Sequence, residues 1–265
     1  MSFRRIAAVM LRYLYLVRGS LSRVFPLFAW VAIDMVLWGY LTRYLSGMTS
    51  TPFVSTLLGA VLLWNFFIRV MQGVTMIFFE DVWSRNFLNV FSTPISIGEY
   101  IGGMVLSSVA TSAIGLGVML ALAAPVFGFS WSAYGVLAIP FLLVLFIFGI
   151  AMGIIGCALV LRWGPAAEWF IWPIPALISP FVGVLYPVKT LPLWMRGVAR
   201  GLPPSTVFES LRSLVLGNPV DFTPLIWGTG LALLYLLGAC WIFREVFRRA
   251  MRTGLIARYS AESVS

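Results

Sequence analysis

The composition of this chain excludes a soluble globular protein. Of its 265 residues, 61% are hydrophobic and only 10% are charged, whereas about 25% of the residues in a soluble domain are charged. Eighteen basic residues against nine acidic ones give a net charge of +9. The absence of histidine excludes Ser-His-Asp triads and HExxH zinc sites. No P-loop motif occurs, so we expect a protein that is not itself an enzyme.

Six apolar stretches are long enough to cross a hydrocarbon core of about 30 Å, which takes roughly 20 residues. They predict an all-α polytopic membrane protein, with a single transmembrane domain over residues 1–265. The predicted order is an interfacial helix (1–23), spans one to five (24–188), an external segment (189–222), the sixth span (223–248) and a cytosolic tail (249–265). The apolar stretches themselves are 24–45, 53–79, 97–126, 133–161, 168–188 and 224–243.

The arginines of the first 23 residues favour a basic amphipathic helix. At about 100° per residue, Arg5, Arg12 and Arg23 fall on one side, while Met10, Leu14 and other apolar residues fall opposite. Such a helix typically lies in the cytosolic interface of a membrane; a simple positive anchor for the first span is the alternative. Basic residues are more numerous on this side of the membrane than on the other, which predicts that both termini are cytosolic.

The link between spans two and three predicts a short amphipathic helix facing the cytosol. Pro94 ends this helix because it has no N–H to donate, and Ser96 with Glu99 has the spacing of a capping box for the third span. A soluble partner or the lipid headgroups are both candidate contacts for the helix. Its apolar residues at helical spacing are Val82, Trp83, Phe87, Leu88 and Phe91.

Two further features concern the interior of the membrane. Prolines at 173, 175 and 180 predict that the fifth span is kinked or broken. Asp34 and Arg69 are costly residues in lipid, and both lie about 15 Å from the cytosolic ends of their spans at about 1.5 Å per residue. We therefore expect an ion pair between them, with separate polar surroundings as the alternative. Trp30, Trp38 and Trp64 either line a substrate path or pack against lipid.

Two motifs resemble the ABC-2 family of exporter permeases. The first, at the end of the second span, consists of Arg85-Asn86 followed by Thr93-Pro94-Ile95-Ser96. The second lies between the fifth and sixth spans, and the order of interfacial helix, six spans and long external segment resembles the family along the whole chain. The second motif comprises Ser179-Pro180, Gly183, Tyr186-Pro187, Leu191-Pro192, Trp194, Pro203-Pro204 and Glu209-Ser-Leu-Arg212.

The resemblance implies a permease subunit of an ATP-driven exporter in the inner membrane of a bacterium. Two such subunits, identical or different, would assemble with two copies of a cytosolic ABC ATPase, which binds the ATP and magnesium. This chain would need no cofactor or metal of its own, and its partners would include lipids but no nucleic acid. The cargo would be amphipathic: a drug, a lipid or a lipid-linked glycan.

The resemblance also assigns roles to residues. The helix after span two would fit a groove of the ATPase, with its apolar side chains buried there and Arg85 at an acidic rim. Short re-entrant helices near 191–200 and 205–216 would line the outer exit, the second capped by Ser205 or Thr206. The coupling residues would be Glu80, Arg85, Phe87, Leu88, Phe91, Thr93, Pro94 and Ile95, with Asp81 beside them. The residues of the outer exit would be Tyr186, Pro187, Trp194, Glu209 and Arg212.

Two other classes of protein are weighed against this one. A six-span secondary transporter would place ionisable groups at a midplane site, and apart from Asp34 and Arg69 the spans are almost uncharged. An intramembrane lipid-modifying enzyme would have few groups for acid–base chemistry, since histidine and acidic clusters are missing.

Overall fold

The computed structural model describes residues 2–46, 53–128, 131–219 and 221–254, and within these it contains helices and no β-strand. Short 3₁₀ turns lie at Trp131–Leu137, Pro165–Phe170 and Val188–Thr190. The α-helices are α1 (Phe3–Arg18), α2 (Leu21–Ser46), α3 (Phe53–Trp83), α4 (Phe87–Ser92), α5 (Ile97–Phe127), α6 (Ala138–Trp163), α7 (Ile174–Val182), α8 (Leu193–Arg200), α9 (Pro203–Val215) and α10 (Thr223–Arg252).

Four segments of the described chain are helical, long and apolar enough to cross a membrane: Thr56–Trp83, Ile97–Phe127, Tyr134–Trp163 and Thr223–Arg252. They coincide with the predicted second, third, fourth and sixth spans. The all-helical class and the membrane character expected from the composition are therefore confirmed at this level. The predicted first span lies within α2, which is continuous over 26 residues. The predicted tail is helical as far as Arg252, and residues 255–265 lie outside the described part.

The predicted fifth span is not one continuous helix. After the 3₁₀ turn at Pro165–Phe170, α7 has only nine residues, or about 14 Å at about 1.5 Å per residue. Gly183 ends α7 in the left-handed conformation, at φ 69°. The interruption expected from the prolines is thus present, and by itself α7 covers about half of a hydrocarbon core.

The core of the protein surrounds α3 and α6. Gly149 and Gly153 let α6 approach α3 closely, because a side chain at Gly153 would lie 2.9 Å from the carbonyl oxygen of Met71. Phe67 and Phe148 stack across the same interface, with ring centroids 5.5 Å apart. The spacing of small residues that the sequence shows here therefore serves helix packing within one chain.

Helix α1 packs along α5, so one side of it contacts protein. Val9 and Tyr13 of α1 are buried. A side chain at Gly103 of α5 would lie only 2.5 Å from Val9 Cβ. The side of α1 that carries Val9 thus covers protein, because the glycine permits a close approach. Leu11 and Tyr15 remain exposed on the outer side of α1.

Helices α8 and α9 occur close to the two segments expected from the sequence. However, Ser205 does not cap α9, because Pro203 and Pro204 form its first turn, where proline is favoured. The Ser205 hydroxyl instead donates to the carbonyl oxygen of Ala199 at 2.6 Å and thereby ties α9 to α8.

Candidate functional site

The predicted coupling helix is divided in two by a sharp turn at Arg85. This residue has φ 53°, the left-handed conformation that normally favours glycine. The N–H of Arg85 donates to the carbonyl oxygen of Val82, and the N–H of Asn86 donates to that of Asp81. These two bonds form a Schellman motif, which ends α3 and allows α4 to start at Phe87 in a new direction.

The exit from α4 follows the sequence prediction closely. Thr93 is extended, with ψ 159°, as expected for a residue before proline. Ser96 and Glu99 form the predicted capping box: the Glu99 N–H donates to Ser96 Oγ at 3.3 Å, and the Ser96 N–H donates to Glu99 Oε2 at 2.9 Å. The chain therefore changes direction twice between α3 and α5, and each change is held by local hydrogen bonds.

The aromatic residues of α4 pack against this chain, which leaves Phe87 unavailable to a partner, whereas docking of the half-buried Phe91 stays a prediction. Phe87 is completely buried, with its ring 5.4 Å from that of Phe78. The Phe91 ring lies 5.0 Å from Tyr100 and 4.7 Å from Phe247. Burial of large aromatic surface against α3, α5 and α10 explains this orientation. These rings attach α4 to the bundle.

The other predicted coupling residues divide into an exposed set and a half-buried set. Glu80 and Ile95 are half-buried, and the side chain of Leu88 lies outside the described part of the structure. The exposed coupling residues, together with exposed neighbours in the same segment, are here called the α4 rim. It consists of Trp83, Ser84, Arg85, Asn89, Ser92, Thr93 and Pro94.

Asp81 is the most important residue that sequence reasoning left without a role. Its side chain is almost completely buried, and Arg12 of α1 donates to it, with Nη2 2.5 Å from Oδ1 and 2.6 Å from Oδ2. The hydroxyl of Tyr100, itself buried, donates to Oδ2 at 2.7 Å. The sequence feature that indicates such a contact is a carboxylate among apolar residues together with a basic helix elsewhere in the chain, because a carboxylate is rarely buried without a partner. The spacing of 69 residues between the two partners concealed the pairing.

A second carboxylate ties the start of α1 to the exit from α4. Glu99 Oε1 accepts the backbone N–H of Ser2 at 2.7 Å, and Arg5 Nη1 lies 3.5 Å from Oε2. Arg5 also donates to the carbonyl oxygen of Pro94 at 2.5 Å. We call the two arginines and two acids, Arg5, Arg12, Asp81 and Glu99, the α1 clamp. Two arginines expected on an outward basic face therefore point at carboxylates of the bundle.

The predicted residues of the outer exit meet at the opposite end of the bundle. Arg212 of α9 donates to the carbonyl oxygens of Gly183 and Val184 and to Glu209 Oε1, the last at 2.8 Å. Glu209 accepts the N–H of Val188 at 2.9 Å. Burial lowers the pKa of Arg212 from its usual value, although Glu209 acts in the opposite direction. This pair fastens α9 to the turn after α7.

The remaining exit residues surround that turn. The Tyr186 hydroxyl donates to the carbonyl oxygen of Pro180 at 2.7 Å. Pro187 accepts from the Thr190 hydroxyl, also at 2.7 Å. Trp194 is 66% exposed and meets the ring of Phe181 edge-on at 6.1 Å. The structure thus brings the five predicted residues of this end into one region, with Trp194 at its surface.

The residues predicted inside the membrane are placed as follows. Arg69 is buried, and its aliphatic stem lies beside Gly115 of α5. Asp34 is half-buried on α2; its ion pair with Arg69 stays a prediction. Trp30 is exposed, whereas Trp64 packs 4.9 Å from Phe67 and 6.1 Å from Phe208. The Trp38 side chain is partly buried against the core.

The two ends of the bundle offer different chemistry. The α4 end presents a mostly polar edge next to two buried carboxylates that arginines neutralise, and the α9 end presents an ordered turn with the exposed ring of Trp194. Within residues 2–46, 53–128, 131–219 and 221–254, no group of three or more Cys, Asp or Glu side chains could hold a metal ion. The sequence matches no protein-family model and no curated protein.

Proposed function

We propose that this chain is the transmembrane permease subunit of an ATP-driven exporter of the ABC-2 type. Two permease subunits, alike or different, assemble with two copies of a cytosolic ABC ATPase, which supplies ATP and magnesium binding. The chain is a multi-pass protein of the bacterial inner membrane with both termini in the cytosol. The cargo is amphipathic: a drug, a lipid or a lipid-linked glycan.

In this proposal the chain has six spans, formed by α2, α3, α5, α6, the broken segment around α7, and α10. Helix α1 lies near the cytosolic interface, where exposed Leu11 and Tyr15 contact lipid. Helices α8 and α9 are re-entrant helices at the outer exit. Irregular backbone such as the turn after α7 is tolerated at membrane depth only where protein or water satisfies it. The carbonyl contacts of Arg212 meet that requirement.

The observation that carries the proposal is the rigid attachment of the α4 rim. A helix of six residues has little stability of its own, yet α4 is held through Phe87 and Phe91 against α3, α5 and α10. Its exit is held through Arg5 and Glu99. A force applied to such an element reaches three long helices at once. Coupling to a cytosolic ATPase requires such a connection to the long helices, whereas a helix that rests on lipid headgroups does not.

The strained turn supports the same role. A residue other than glycine in the left-handed conformation costs roughly 1 kcal/mol, and such strain is concentrated at functional sites. Arg85 occupies this position and is exposed. In our proposal its guanidinium meets an acidic edge of the ATPase, while Asn89 and Thr93 supply polar contacts beside it.

The test uses the full chain expressed together with its ATPase subunit. A photo-crosslinking amino acid at Asn89, on the α4 rim, should give an adduct with the ATPase, and the same amino acid at Arg200 of α8 should not. Arg85→Glu should lower the ATPase activity retained on the purified permease at least tenfold, with Arg200→Glu as the matched charge reversal. Adducts from Asn89 with lipid alone, or full activity in Arg85→Glu, would refute the proposal.

A further inference from the structure

An apolar cleft opens between α1, α3 and α5, away from both ends described above. Its volume is about 290 Å³, close to the lower limit of ligand pockets at roughly 300 Å³. It lies beyond the close contact of α1 and α5 at Gly103. The apolar side chains that line it include Met10, Leu14, Val17, Ala110 and Ile114.

The charged groups of the cleft are both cationic. Arg18, the last residue of α1, lies at its exposed edge, and Arg69 of α3 lines it from the buried side. None of the described residues that line the cleft is acidic. The acids near α1, Asp81 and Glu99, are engaged by Arg12 and Arg5 at the other side of that helix. The cleft therefore combines an apolar wall with the exposed guanidinium of Arg18 at its edge.

This combination matches an anionic amphiphile. An apolar ligand would leave the Arg18 guanidinium at the mouth of the cleft without an anionic partner. A small polar anion would leave the apolar wall exposed to water. An acyl chain fills the apolar part, and an attached phosphate forms a charge-assisted hydrogen bond with the arginine. Leu14 is about half exposed at the lining, so a chain can enter sideways from surrounding lipid.

We infer that this cleft holds one acyl chain of an anionic phospholipid of the bilayer, with the phosphate at Arg18. The site is separate from the α4 rim and needs neither nucleotide nor ATPase. It also explains a feature that the α1 clamp leaves unexplained, since Arg18 is part of the basic set of α1 but has no role in the clamp. The bound lipid would act as a wedge that fixes the angle of α1 on α5.

The experiment uses the purified full chain in phosphatidylcholine vesicles. One preparation contains a trace of phosphatidylglycerol with a photoactivatable group in one acyl chain, and the other contains the corresponding phosphatidylcholine. After irradiation and digestion, mass spectrometry locates the adducts. We expect phosphatidylglycerol adducts at 10–18 and 107–115 to exceed the phosphatidylcholine adducts at least fivefold.

Two pairs of variants test the geometry. Arg18→Gln should reduce the phosphatidylglycerol adducts at least threefold, whereas Arg4→Gln, which removes an exposed arginine of the same helix outside the cleft, should not. Ala110→Trp should fill the cleft and abolish the adducts, whereas Ala113→Trp, on the exposed side of α5, should leave them. Equal labelling by the two lipids, or equal effects within either pair, would overturn the inference. ATPase coupling does not enter the readout.

Discussion

Asp81 gives the sharpest prediction about what holds the α1 clamp together. Its carboxylate is 1% exposed and has two partners from distant elements, Arg12 of α1 and Tyr100 of α5. Asp81→Ala removes the acceptor for both donors. Asp81→Asn keeps an oxygen for the Tyr100 hydroxyl but removes the charge that Arg12 requires.

The magnitude follows from the burial of each partner. A buried donor that loses its acceptor costs about 1–3 kcal/mol, and this applies fully to Tyr100, which is 0% exposed. Breaking a fully buried ion pair costs roughly 3–5 kcal/mol. The Arg12 side chain is 29% exposed and can turn towards water, which lowers the free-energy cost of breaking its ion pair. We therefore expect Asp81→Ala to lower the free energy of unfolding by about 3 kcal/mol, and Asp81→Asn by about 1.5 kcal/mol.

The assay is equilibrium unfolding of the full chain in mixed micelles, followed by tryptophan fluorescence, for Arg12→Gln, Asp81→Asn and the double variant. A direct ion pair should give a coupling energy of about 1–2 kcal/mol. Arg4→Gln provides the matched control, because Arg4 is an exposed arginine of the same helix. Its effect should simply add to that of Asp81→Asn.

One result would refute the reasoning. If the effects of Arg12→Gln and Asp81→Asn add to within about 0.5 kcal/mol, the two residues act independently. The α1 helix would then be held by its apolar contacts with α5 and by the contacts of Ser2 and Arg5 with Glu99 and Pro94, and the contact between Arg12 and Asp81 would have no part in holding it.

Three further predictions concern single features of the structure. Arg85→Gly should raise the free energy of unfolding by about 0.5–1 kcal/mol by relieving the left-handed backbone, while ATPase coupling falls; unchanged coupling would remove the Arg85 side chain from the contact. Gly183→Ala should lower the free energy of unfolding by about 2 kcal/mol, since φ is 69° and a side chain would lie 2.8 Å from the carbonyl oxygen of Tyr186. The control is Gly197→Ala, in open space within α8, which should leave the free energy of unfolding unchanged or raise it by up to about 1 kcal/mol. Asp34→Asn and Arg69→Gln should be non-additive by at least about 0.5 kcal/mol in the same assay if the two side chains form an ion pair; additive losses would show that they do not.

Local signals account for the parts of the fold that the sequence predicted well. Continuous hydropathy located the long helices, and Ser96 with Glu99 predicted the start of α5 at the correct residue. Pro94 predicted where α4 has to end, and the prolines around α7 predicted its interruption. Each of these signals depends on residues within one or two helical turns of each other, so it can be read from the sequence without knowledge of the tertiary structure.

The candidate site was only partly predictable. Helical spacing indicated an apolar side of the segment after span two but not what that side would cover. This spacing alone places Phe87 at a partner, although its ring is buried against Phe78 of this chain. The left-handed turn at Arg85 was not predictable from the sequence either, because glycine, the usual residue at such a turn, is absent there.

By itself, the sequence determined that this is a helical membrane protein, where its long helices lie and where proline and capping residues interrupt them. Only the tertiary structure decided which face of α1 meets protein, which rings hold α4, and which arginines neutralise Asp81 and Glu99. The physical reason is distance along the chain. Ion pairs such as Arg12 with Asp81 form between residues that are remote in sequence, and they exist only after helix packing has brought both partners to the same depth of the bundle.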